Sequence, residues 1–193
     1  MNTSSSSPAT IHSNYLESFP QALERAENIK LVALDVDGVL TNGSLYVGND
    51  GKEQLKVFDS LDGHGIKLLA STGVQFAIIT GRESAMVKTR AKELGIEHVY
   101  MAVSNKLETL NALINKIGGS LKTTAAVGDD WPDLSVLTRV GLACAPAQAH
   151  PAVIEVAHFV TSRNGGSGAV REICDLILKA QGNYEKLLME AKA

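Results

Sequence analysis

The chain reads as an α/β protein with a doubly wound, mostly parallel sheet, for three reasons. Short apolar runs alternate with helical segments along most of its length. The clearest helical segments stop at glycines. The residues able to do chemistry collect where the apolar runs end, which in an open parallel sheet is the ligand-binding edge.

The first element expected is an amphipathic helix from Tyr15 to about Glu27. Strands are expected at Leu31–Val36, Val74–Thr80, His98–Met101, Thr124–Val127, Gly141–Cys144 and His158–Thr161. Helices are expected over Glu83–Leu94, closed by Gly95, and over Lys106–Ile117, closed by Gly118 and Gly119. Such alternation predicts right-handed βαβ units. One stretch breaks the rhythm: SLYVGNDGKEQLKVF, residues 44–58, carries two alternating segments around Asn49-Asp50-Gly51, a hairpin signal. The hairpin would project from the sheet edge. Its apolar residues Leu45, Val47, Leu55 and Val57 would have nothing behind them in a monomer, which points to a subunit interface.

Bulk properties exclude several classes. The chain has 193 residues, 45% of them hydrophobic and 20% charged, and a net charge of -3. That suits a soluble globular domain with a sizeable core. There is no basic stripe with interleaved aromatics, so nucleic acid is not an expected partner. No apolar stretch approaches the roughly 20 residues of a membrane span, so no membrane role is expected. Residues 1–10, MNTSSSSPAT, are polar, low in complexity and unlike a secretory signal; disorder is expected there. Cys144 and Cys174 form no CxxC pair and are expected to be reduced and buried, as in a cytoplasmic protein. The expected organisation is an extension over 1–28, a single domain over 29–182 and a tail over 183–193.

The strand ends supply the chemistry. The first ends in Asp35-Val36-Asp37-Gly38 and the next in Thr80-Gly81-Arg82. Lys106 opens the helix after the third, and the fourth ends in Gly128-Asp129-Asp130. Each has an ordinary reading: a turn at Thr80, a solvated lysine, an N-cap for one of Asp129 and Asp130 ahead of Trp131-Pro132. A calcium loop starting at Asp35 fails, because Val39 and Tyr46 stand where oxygen ligands belong. The joint arrival of these groups at one sheet edge is harder to reach by accident. Clustered carboxylates call for a hard divalent cation such as Mg²⁺, and a lysine and a threonine hydroxyl beside it suit phosphoryl oxygens. An ionised Asp there can attack phosphorus, and a second Asp can move the proton.

Asp35-x-Asp37-Gly-Val-Leu-Thr, Thr80-Gly-Arg, Lys106 and Gly128-Asp129-Asp130, in that order, resemble the four motifs of the haloacid dehalogenase superfamily. The resemblance implies Asp35 as nucleophile, Asp37 as acid/base, and Thr80 and Lys106 as phosphate ligands. Mg²⁺ would be held by Asp35, the main-chain carbonyl of Asp37 and Asp129, with Asp130 or Asp133 behind them. Only the hairpin and one helix separate the first two motifs, as in the capless subclass. From Ile29 to about Gly182 the chain is similar to the 3-deoxy-D-manno-octulosonate (KDO) 8-phosphate phosphatase family of lipopolysaccharide synthesis. This likeness rests on stretches such as KVFDSLDGHGIKLL, VGDDWPDL and GGSGAVREICDLIL. It implies a homotetramer whose hairpins meet centrally and whose C-terminal tails help cover neighbouring sites. It also implies sugar-acid contacts from Asp59, Ser60, Leu61, Asp62, Gly63, Lys67 and Arg90, beside Asp37, Gly81, Arg82 and Lys106. Three positions depart from the family pattern: Leu61 and Ser167 stand where basic residues are common, and Ala102 or Val103 stands where glycine is usual. Two other readings compete. One is a phosphatase for a nine-carbon 2-keto-3-deoxy sugar acid 9-phosphate. The other is a non-enzymatic receiver-like switch, which would need an Asp at the end of the third strand, where His98–Met101 has none.

Overall fold

The computed structural model describes residues 15, 16 and 18–193. Six strands form one parallel sheet in the order β5-β4-β1-β6-β7-β8. They are β1 (Leu31–Leu34), β4 (Gln75–Ile79), β5 (His98–Tyr100), β6 (Thr124–Val127), β7 (Leu142–Ala145) and β8 (Phe159–Val160). Each lies within one residue of its expected bounds, except that β1 ends two residues early. The separate pair β2 (Tyr46–Val47) and β3 (Glu53–Leu55) is the expected hairpin.

Strand side chains alternate faces, and the core divides accordingly. Val32 and Leu34 of β1, with Phe76, Ile78, Ala125, Val127, Leu142 and Cys144, belong to one cluster. Leu31, Ala33, Ala77, Ile79, Ala126, Ala143 and Ala145 belong to the other. Helices α1 (Pro20–Ala26), α2 (Ser60–Ala70), α3 (Ala85–Leu94) and α7 (Ala169–Ala180) contribute to the first face. Helices α4 (Lys106–Ile117), α5 (Trp131–Leu137) and α6 (Pro151–Val156) cover the second. A last helix, α8 (Tyr184–Lys192), packs Tyr184 and Leu187 against the first cluster. Cys144 and Cys174 are both buried and free.

Several boundaries moved for physical reasons. The first strand stops at Leu34 rather than Val36, because the amides of Val39 and Thr41 both turn back onto the Val36 carbonyl. Asp37 therefore lies in a turn, not on a strand. The helix expected from Tyr15 is interrupted before Pro20, which opens α1 at its first position, since proline cannot sit inside a helix. The described part of the expected extension belongs to the core: Leu16 is fully buried, and the rings of Tyr15 and Phe19 meet Phe159. Residues 1–10, where disorder is expected, lie outside the described residues. Helix α3 begins two residues late because Ser84 caps it. Between β1 and β4 the chain builds only the hairpin and α2, so no large cap domain is present.

Candidate active site

From β1 the chain steps to β4 and β5 on one side, then returns to β6 on the other. The crevice between β1 and β6 is thus the topological switch point, where open α/β sheets bind ligands. Asp35 follows β1 directly and Asp129 lies two residues past β6. A cleft of about 580 Å³ opens there, lined by Asp35, Asp37, Thr80, Gly81, Arg82, Lys106, Asp129, Asp130 and Asp133. That volume suits a small ligand.

Local sequence explains how each group is held. Thr80 directly follows β4, is buried, and its backbone bonds Tyr100 and Val103. Asn105 caps α4 by accepting from the Glu108 amide, which puts Lys106 in the first turn. A cation there opposes the helix dipole, a local cost expected where function dictates the residue. Lys106 Nζ lies 2.7 Å from Asp133 Oδ1 and 2.9 Å from Asp35 Oδ1. Asp130 and Asp133 form a capping box on α5, so the N-cap is Asp130, not Asp129. Asp133 Oδ2 also accepts from the amides of Asp129 and Asp130. Gly38 sits at φ +87, and a Cβ there would stand 2.0 Å from Asp129 Oδ2, so only glycine leaves that carboxylate its place.

The ligand oxygens of Asp35, Asp129 and Asp133 lie within 4.8 Å of one another. Burial, then the charge of Asp133, raises Asp35 to about 6. Burial, then the charges of Asp35 and Asp133, raises Asp129 to about 7. Three carboxylates against one lysine leave two negative charges. A divalent cation matches that excess, and an all-oxygen donor set is the one Mg²⁺ takes. The residues present therefore fit the metal. Asp130, exposed and committed to its cap, stands outside this cluster. Asp133 stands inside it, closer than its expected supporting place.

Asp37 faces a different set. Its Oδ1 is held by Lys56 of the hairpin, and its Oδ2 lies 3.5 Å from Arg82 Nε. Lys56 also pairs with Glu53 at 2.9 Å. Lys56 and Glu53 were not among the expected site residues. The hairpin's alternation held the signal, because Leu55 and Val57 facing out obliges Lys56 to face in. Gln148 was also missed. It donates to the Gly38 carbonyl at 2.7 Å and accepts from the Gly165 amide at 2.8 Å. That joins residues 165–168 to the first motif, and a Cβ on Gly165 would overlap the Gly38 carbonyl.

The remaining expected substrate residues are not brought to this cleft. Asp59 caps α2 through the Leu61 and Asp62 amides, and Ser60 and Leu61 are exposed on its first turn. Asp62 is 2% exposed and accepts from the Arg171 amide at 2.8 Å at the start of α7, which has no cap of its own. Burial raises its carboxyl to about 6. Gly63 lies against Arg90, whose Nη2 donates to the Asp59 carbonyl and whose Nη1 pairs with Glu93. Lys67 is exposed further along α2. Of the three departures, Ala102 proves informative: it is the one non-glycine residue with positive φ, 53°, among the described residues.

A parallel sheet with a carboxylate cluster, a lysine and a threonine at its switch point defines a haloacid dehalogenase-type hydrolase. Residues 98–173 match the family model for haloacid dehalogenase-like hydrolases. The chain is 47% identical over 167 residues to the KDO 8-phosphate phosphatase of Salmonella typhimurium, covering 86% of this chain and 88% of that one. The crystal structure of the Yersinia pestis KDO 8-phosphate phosphatase superposes with a TM-score of 0.83 at 45% identity, covering 86% of this chain and 89% of that one. The Moraxella catarrhalis phosphatase, crystallised with a magnesium ion, a phosphate ion and KDO, gives 0.85 at 41%, covering 88% and 97%. This chain belongs to the KDO 8-phosphate phosphatase family.

Proposed function

We propose that the protein hydrolyses the phosphate monoester of a sugar acid, KDO 8-phosphate, in a Mg²⁺-dependent reaction serving lipopolysaccharide synthesis in the cytoplasm. The observation that carries this is the Asp35–Asp129–Asp133 cluster beside Lys106 and Thr80, facing a cleft with Asp37 and Arg82 across it. Mg²⁺ held by Asp35, Asp129 and the Asp37 main-chain carbonyl, with Asp133 beside it, would neutralise phosphoryl charge. Lys106 and Thr80 bind the phosphoryl oxygens. Asp35 attacks phosphorus, and the bond to the sugar oxygen breaks with its electron pair on that oxygen, which takes a proton from Asp37. Water then attacks the phosphorus of the Asp35 acyl phosphate and gives its proton to Asp37. Phosphate leaves and Asp35 is regenerated.

Arg82 supplies a cation for the sugar-acid carboxylate. Asp59–Gly63, Lys67 and Arg90 lie outside this chain's own cleft, a placement consistent with their serving a neighbour's site in a homotetramer. The half-exposed face of Leu45, Val47, Leu55 and Val57 supports such an assembly. Initial rates on KDO 8-phosphate, a nine-carbon 2-keto-3-deoxy 9-phosphate and generic phosphomonoesters test the substrate. The KDO ester is expected to lead in kcat/KM by at least about tenfold, about 1.4 kcal/mol of transition-state binding. Equal values across the panel would defeat the assignment.

A further inference from the structure

The hairpin's outer face is apolar and half-exposed, yet Lys56, just past its second strand, turns its side chain the other way. The Lys56 side chain is 1% exposed and lies between two carboxylates, Asp37 and Glu53. Arg82 closes the group, its Nε 3.5 Å from Asp37 Oδ2 and its Nη2 4.0 Å from Glu53 Oε1. A lysine so buried lies in a geometry that a long flexible side chain does not keep without cause. Asp37 sits in a turn with no strand pairing to orient it, so its carboxylate depends on these contacts. Lys56 takes Oδ1, while Oδ2 stays on the Arg82 side of the cleft.

We infer that Lys56 is a positioning residue for Asp37, which makes the hairpin part of the catalytic apparatus. By fixing one carboxylate oxygen it leaves the other aimed at the leaving-group oxygen, the geometry that proton transfer needs. The same segment offers Leu55 and Val57 to the outside, so anything that moves the hairpin moves the Asp37 carboxylate. The inference rests on the reading of Asp37 as the acid/base.

Two substrates separate positioning from mere folding. A sugar phosphate leaves as an alkoxide and needs the proton; p-nitrophenyl phosphate leaves as a stabilised phenolate and does not. Because Asp37 also takes the water proton in the later step common to both substrates, the comparison is read in kcat/KM, which reports only the steps through leaving-group departure. Lys56→Met is expected to lower kcat/KM on KDO 8-phosphate by about 10- to 100-fold, up to the lower end of what acid–base catalysis contributes. On p-nitrophenyl phosphate it should change kcat/KM by less than about threefold, a bias that Asp37→Asn shares. Lys56→Arg, which keeps a cationic donor, should recover most of the loss. Should Lys56→Met fail to fold, Glu53→Gln, which frees the lysine from its second anchor, is read for the same bias. Bias in Asp37→Asn with none in Lys56→Met and Glu53→Gln overturns the role of Lys56 alone. Equal losses of kcat/KM on both substrates in every variant overturn the acid/base reading and the inference with it.

Discussion

The two carboxylates of the first motif stand two residues apart and live in different surroundings. Asp35 is gripped from inside the fold, by Lys106 at the head of α4 and beside Asp129 and Asp133 after β6. Asp37 is gripped from outside the sheet, by Lys56 on the hairpin and by Arg82. The first set stands on strand ends and helix caps of the core. The second depends on an excursion whose outer face is exposed. The inner carboxylate cluster is therefore assembled within one chain, whereas the surroundings of Asp37 are tied to the hairpin and to whatever covers it.

The largest effect should fall on the inner set. Asp35→Asn leaves the shape and removes the proposed nucleophile, so phosphate release should drop about 10⁴-fold or more. Retained turnover would erase the distinction between the two carboxylates.

The next effect concerns metal and pH. In the metal-free protein Asp35 and Asp129 titrate near 6 and 7, above their ordinary value, so their protonated forms favour the fold. That stabilisation is present at low pH and is lost as pH rises through about 6 to 7. Mg²⁺ competes for the same oxygens, so its stabilisation should be largest above pH 7 and fade below about pH 6. At 100 times its Kd the ion contributes about 2.7 kcal/mol, roughly 5–10 °C in Tm. Melting curves with and without Mg²⁺ across pH check this, and Asp129→Asn should abolish most of the shift.

The outer set answers to a different perturbation. Leu55→Asp puts a charge on the hairpin's exposed face without touching the inner cluster. Light scattering should report a smaller assembly than the wild type, with Mg²⁺ stabilisation above pH 7 retained. An unchanged assembly would remove the subunit-contact role of that face. The smallest effect is expected at Ala102, held at φ 53° beside the cleft. Ala102→Gly relieves left-handed strain but enlarges unfolded-state entropy, so the gain should not exceed about 1 kcal/mol, or about 2–4 °C in Tm.

The inner set was legible because its signals are local. Apolar runs mark strands, glycines mark helix ends, and one of Asp129 and Asp130 reads as a cap ahead of a helix. The departure from glycine near residues 102–103 likewise marked the strained Ala102. What escaped were pairings between distant segments. Lys56 meets Asp37 across 19 positions and Asp62 meets the Arg171 amide across 109, and no short-range pattern records such partners. Asp62 and its neighbours were assigned to substrate by resemblance, while this chain's packing uses Asp62 to cap α7. Asp133 was placed behind the ligands because its distance from Lys106 and Asp35 depends on how α4 and α5 pack.

The most direct test is chemical trapping of the intermediate. Acid quench during turnover of KDO 8-phosphate with Mg²⁺, followed by borohydride reduction and peptide mass spectrometry, should find Asp35 converted to homoserine. The wild type should show this and Asp35→Asn should not. Turnover without modification, or modification at another carboxylate such as Asp129, would contradict the assignment of Asp35 as the group that receives the phosphoryl.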